Sequence, residues 1–122
     1  MILFSPESRE LTPVVDFQSR DANSAELAGG FGEAHIHIVR IDAGGEIGPH
    51  VAGFGQLFIC LEGSGWVAAA DGKHVSISRG QVAYFARGEL HSKGSVDGLR
   101  ALMIQVHDLH LAAALPNGPQ RE

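Results

Sequence analysis

From Ala34 onward the chain is cut into short apolar runs separated by tight-turn residues. Ala34-His35-Ile36-His37-Ile38-Val39-Arg40-Ile41 is rich in β-branched residues and stops at Asp42-Ala43-Gly44-Gly45, the pattern of a strand ended by a turn. Gln56 to Leu61 reads as a second strand, ended by Glu62-Gly63-Ser64-Gly65. Trp66–Ala70 and Lys73–Ser78 flank Asp71-Gly72, the signal for a two-residue type I′ hairpin. Gln81–Phe85 and Leu99–Val106 complete the strand-like runs. Short strands at near-regular spacing point to an antiparallel sandwich or barrel.

The ends of the chain read differently. Residues 1–32 are weakly patterned and are expected to form an extended arm and loop, with one helical turn near Ala25 to Ala28. Asp108 is placed to N-cap a short helix through Leu115, ended by Pro116-Asn117-Gly118-Pro119. This divides the chain into an arm (1–32), a β-barrel domain (33–107) and a C-terminal helix and tail (108–122). No internal repeat or linker interrupts it.

Side chains alternate along a strand. In Gln56–Leu61 one face carries Gln56, Phe58 and Cys60, and the other Leu57, Ile59 and Leu61. Both faces are largely apolar, so both need cover. A barrel interior supplies one cover and a second subunit the other, which leads us to expect a homodimer.

The chain has 122 residues, enough for one compact domain with a real core. Nine basic against fourteen acidic side chains leave a net charge of −5. With no basic run, a nucleic-acid partner and an anionic membrane surface are both disfavoured. Cys60 is the single cysteine, so no disulfide framework is available. The first residues lack the basic flank and apolar length of a signal peptide, and no later segment has the length of a membrane span. These features lead to the expectation of a cytoplasmic protein.

Two glycine-bounded segments carry the candidate chemistry: Gly44, His50, Ala52, Gln56, Gly63, and then Gly80, Ala86, Gly88, His91, Ser95. In order and separation they resemble the two motifs of the cupin superfamily, over about Gly44 to Ser95. That resemblance implies an all-β, double-stranded β-helix or jelly-roll barrel. It also implies a site in which two histidines and a glutamate from the first motif join a histidine from the second around one divalent ion. Position by position, the first histidine is His50 and the last is His91. Ala52 replaces the second histidine, Gln56 the glutamate, Ala86 the motif proline and Ser95 the motif asparagine. The sequence is similar to a branch of small bacterial cupins with this H-x-A…Q variation.

A methyl group cannot ligate, and an amide oxygen is a weaker donor than a carboxylate. Two outcomes follow for His50, Gln56 and His91. They form either a metal-free pocket that hydrogen-bonds a ligand, or a weak site for iron, manganese, nickel or zinc with waters completing the shell. Two facing imidazoles in a closed barrel are expected to titrate below their usual range.

Other residues carry less. His35 and His37 share a strand face, and His37 is a candidate for the missing imidazole if that face points inward. Ile36 and Ile38 on the opposite face are the more natural core residues, so the histidines are expected to be exposed. Glu89, two residues before His91, is the candidate general acid or base, set against the commoner fate of a solvated loop carboxylate. Cys60 reads as a small buried side chain, Trp66 and Tyr84 as barrel filling, and His74, His107 and His110 as surface residues. The first functional reading is a small single-domain cupin binding a small polar or anionic metabolite without a tightly held cofactor. The alternative is a divalent-metal-dependent isomerase or oxygenase acting on a small organic acid or sugar.

Overall fold

The structure, a computed structural model, describes residues 1–112. Ten strands account for most of it: β1 (Ile2–Phe4), β2 (Thr12–Pro13), β3 (Asn23–Ser24), β4 (Ala28–Ile41), β5 (Glu46–Val51), β6 (Gly55–Ala68), β7 (Val75–Ser78), β8 (Val82–Phe85), β9 (Leu90–Gly94) and β10 (Leu99–Leu111). One layer runs β1-β8-β6-β10-β4. The far half of β6 pairs instead with β7 and β9, and β9 pairs with β5 to complete the opposing layer. Every pairing is antiparallel, and the two layers close on each other as the expected jelly roll.

The strand expected to end at Glu62-Gly63-Ser64-Gly65 does not end there. It bends and changes layer. Gly63 has φ +78°, and a Cβ on it would lie 2.3 Å from the carbonyl oxygen of Gly98. Glycine here lets the backbone turn while staying in the sheet. The expected two-residue hairpin at Asp71-Gly72 is also corrected. The Gly72 amide donates to the Ala69 carbonyl at 3.0 Å, Gly72 alone of the pair has positive φ, and pairing resumes at Val67 with Val75. The connection is therefore an ordinary turn followed by a left-handed glycine, with the Asp71 carboxylate accepting from the Lys73 amide at 2.9 Å.

The expected C-terminal helix is absent where the structure describes it. Asp108–Leu111 continue β10 beyond a bulge and pair with Ala28–Phe31 of β4; residues 113–115 lie outside the described residues. Tertiary contact overrides the capping signal. Leu109 and Leu111 lie two apart and pack against the Phe4–Leu57–Val82 cluster, while Gly30 lets β4 approach so closely that a Cβ there would lie 2.4 Å from the Asp108 carbonyl oxygen. Residues expected to form a loose arm are also drawn in. Ile2, Leu3 and Phe4 pair with Tyr84, Ala83 and Val82, and β4 begins at Ala28, where a helical turn was expected. The helical element of the arm is a 3-10 turn at Pro6–Ser8.

Between the layers, Phe58, Val67, Ile77, Ala83, Phe85, Leu99 and Ala101 form the core. Burying a side chain the size of Phe58 or Phe85 contributes about 2 kcal/mol each. Val39 and Ile41 of β4 also pack there, so alternation places His35 and His37 on that same inward face. Ile36 and Ile38, read as the natural core residues, are instead 68% and 58% exposed on the outer face. The histidines are exposed as expected, because β4 extends past the core at the open edge of the layer.

Candidate functional site

Three strands bring the site together. β5 and β9 pair so that His50 stands opposite His91, with ring centroids 4.5 Å apart. From the opposing layer β6 contributes Gln56, 3% exposed, on the inward face with Phe58 and Cys60. His50 and His91 thus meet ring to ring, and a fourth residue links His91 to Gln56. Lys93 is 1% exposed; its Nζ donates to Gln56 Oε1 at 2.7 Å and to His91 Nδ1 at 3.3 Å. The same ammonium lies 4.9 Å from the ring centroids of both Phe58 and Phe85, within cation–π range.

Sequence reasoning missed Lys93. The signal was present, since His91 and Lys93 are two apart on one strand and so share a face. A lysine in a loop-rich segment is ordinarily a solvated charge, and only the opposing layer shows that this one is enclosed.

The electrostatics follow from burial. His91 is pushed down to about 3, first by burial and then by the charges of Lys93 and His50. Its ring is therefore neutral at physiological pH. Because Nδ1 accepts from Lys93, the proton is assigned to Nε2. That Nε2 is buried and has no hydrogen-bond partner. Burial also lowers Lys93, to about 8. His50 is exposed and bonds the Gly48 carbonyl through Nδ1 at 2.8 Å, leaving its Nε2 as a lone-pair donor at the barrel mouth. The facing imidazoles are therefore unequal, one inside and one at the rim.

The donor set does not fit a tightly held divalent ion. The Gln56 oxygen and His91 Nδ1 both accept from an ammonium, and a second cation bound to either would sit against that charge. Ala52 is buried and offers a methyl. Among the described residues no three His, Cys, Asp or Glu side chains converge as a ligand set. His37 faces inward on β4 but lies in a row with Met103 and Phe58, outside the His50–His91 pair.

Glu89 is engaged elsewhere. Its Oε1 accepts from the Ala86 amide at 3.0 Å and its Oε2 pairs with the Met1 ammonium. Cys60 is 1% exposed, and burial pushes its thiol up, which leaves it unreactive. His74 stacks on Trp66 with centroids 3.6 Å apart, and His107 contacts Arg87 and Asp108 at the surface. Two surface clefts of about 280 and 680 Å³ lie elsewhere, the first beside Arg40 and Arg100, the second beside Arg9 and Glu26. Neither contains the buried polar cluster, and the enclosed unpaired donors make the barrel interior the better candidate site.

A family profile described as the AraC-like ligand-binding domain matches residues 35–119. No functionally curated protein matches the sequence. Solved structures share the fold. A conserved protein of unknown function from Streptococcus pyogenes is 22% identical, with TM-score 0.57, covering 62% of this chain and 66% of that one. A predicted oxalate decarboxylase from Thermotoga maritima is 25% identical, with TM-score 0.54 and coverage of 59% and 64%. A cupin superfamily protein from Desulfitobacterium hafniense is 13% identical, with TM-score 0.58 and coverage of 80% and 92%. This chain thus spans just under two-thirds of the length of the first two. No helix among the described residues is long and apolar enough to cross a membrane. With a family match over most of the chain and a barrel shared with cupin structures, the protein belongs to the AraC-like ligand-binding domain family, a cupin-type fold.

Proposed function

We propose that this protein is a small-molecule-binding cupin whose ligand, a small polar or anionic metabolite, engages His50, Gln56 and His91 without a tightly held metal. One observation carries this reading. His91 Nε2 is buried and unpaired, on a ring whose Nδ1 joins the Lys93–Gln56 cluster, and an unpaired buried N–H costs about 1–3 kcal/mol that a ligand acceptor would recover. The T. maritima neighbour, a predicted oxalate decarboxylase, supports a small organic acid as the ligand class. A metal-dependent isomerase or oxygenase is the second reading, and the ammonium inside the cluster weighs against it.

The reading includes a homodimer in the cytoplasm. Leu57 is buried within its own chain, but Ile36, Ile38 and Leu61 are exposed and Ile59 half-buried. Ile36 and Ile38 lie in cross-strand rows with Ile104 and Leu102 on the outer face, a surface that a second copy would cover. The free, buried Cys60 is compatible with a reducing compartment.

A thermal-shift panel of small organic acids, polyols and sugars tests the pocket. At least one class is expected to raise the melting temperature of the protein and not of His91→Ala. Elemental analysis of protein purified without added metal or chelator tests the rest. Near-stoichiometric iron, manganese, nickel or zinc, lost in His91→Ala, would overturn the metal-free reading.

A further inference from the structure

A buried cation without a counter-charge defines what the barrel lacks. Lys93 is 1% exposed, and none of the ion pairs among the described residues involves it. An ammonium has three protons; one goes to Gln56 Oε1 and one toward His91 Nδ1. The third has no oxygen or nitrogen partner among the described residues, and the rings of Phe58 and Phe85 stabilise the charge without neutralising it. Enclosing an ion without a counter-charge costs several kcal/mol. On the far edge of the His91 ring, Nε2–H is a second buried donor without an acceptor. Every polar atom that these two groups leave open is therefore a donor. His50, which is exposed, lies ring to ring with His91.

We infer that Lys93 is the ligand-binding cation of this barrel, and that its ammonium receives one carboxylate of a small organic acid beside His91. This rests on the pocket proposed above and narrows its ligand to a carboxylate. One enclosed positive charge matches one negative charge, so the carboxylate group is the recognised unit. Charge-assisted hydrogen bonds from an ammonium are about twice as strong as neutral ones, so the neutral amide of the same shape should bind much less well. Gln56 acts here as a positioning residue that aims the ammonium.

The chain holds only two lysines, Lys73 and Lys93, and Lys73 is exposed in a loop. That gives the experiment its internal control. Full-length protein labelled at lysine and histidine is titrated by NMR with acetate and propionate, and separately with acetamide and propionamide. Saturable shifts of Lys93 and His91 are expected with the acids, with Lys73 unmoved, and the amides should bind at least about tenfold more weakly. Lys93→Met keeps the length and removes the buried charge. It should fold with unchanged or higher stability and lose the acetate response of His91 by a similar factor. If it fails to fold, the contrast between acid and amide in the unmutated protein decides the matter alone.

Three results would overturn the inference: Lys73 and Lys93 responding alike, equal affinity for acid and amide, or an acetate response at His91 that survives in Lys93→Met. Neutral probes that move His50 and His91 while no acid moves Lys93 would defeat the carboxylate assignment and leave the pocket standing. Silence of all three residues toward every probe would defeat both.

Discussion

Lys93 Nζ and Gln56 Oε1 meet at 2.7 Å across the barrel, joining strand β9 of one layer to strand β6 of the other. A glutamine at this place serves an ammonium differently from a glutamate. It accepts the hydrogen bond without cancelling the charge, so the cation stays available to a ligand.

Gln56→Leu removes the acceptor and strands the ammonium. The expected loss is about 1–3 kcal/mol of unfolding free energy, read by urea denaturation. In a Lys93→Met background the same substitution should cost at least about 1 kcal/mol less. Equal costs in both backgrounds would show that the two side chains are not energetically coupled.

Stability should fall on the acid side through His91. The folded protein holds this ring down at about 3, whereas the unfolded chain binds the proton near 6.5. Between those values the unfolded state carries more protons, so the His91 contribution is full above about 6.5 and declines as the pH falls toward 3, by at most about 5 kcal/mol. Lys93, lowered to about 8, acts in the same direction on the alkaline side: stability should rise with pH between about 8 and 10.5. Urea midpoints across pH check both windows, and His91→Gln should flatten the acid limb while leaving the alkaline one.

Gly63→Ala should cost more than about 2 kcal/mol, because it combines a positive φ with a Cβ placed against the Gly98 carbonyl oxygen. Thermal unfolding measures it. A neutral result would mean that the bend in β6 does not depend on glycine.

The double change Ile36→Glu and Ile38→Glu tests the outer face. Both side chains are more than half exposed, so the fold should persist by circular dichroism while dimer affinity falls by at least about tenfold. Sedimentation of the unmutated protein as a monomer at micromolar concentration would remove the basis for a dimer.

Completing the four-ligand pattern is expected to fail while the lysine stays. In Ala52→His with Gln56→Glu, the new carboxylate should pair with Lys93 and bind divalent metal weakly. Adding Lys93→Met should then tighten zinc or manganese by more than about tenfold, as read by isothermal titration. Tight binding in the double variant would show that the ammonium does not oppose a metal ion.

Much of this protein was legible along the chain. Strand alternation assigns Gln56, Phe58 and Cys60 to one face of β6, and the structure buries all three. The glycine-bounded segments around His50 and His91 resemble the cupin motifs, which imply a jelly roll, and those two rings face each other. Strand and turn signals are local: a side-chain period of two and a turn residue's backbone freedom act within a few positions. What the chain alone left undecided depends on partners distant in sequence. The same Asp-led run that caps a helix elsewhere stays extended here because Ala28–Phe31 lie alongside it. Ile36 and Ile38 point outward although they are the more apolar pair, because Val39 and Ile41 on the other face meet the core. Lys93 stands out only once β6 places Gln56 and Phe58 against it. Local pattern determines which side chains share a face; only the packing of one layer on the other decides which face is inside, and what a buried charge finds there.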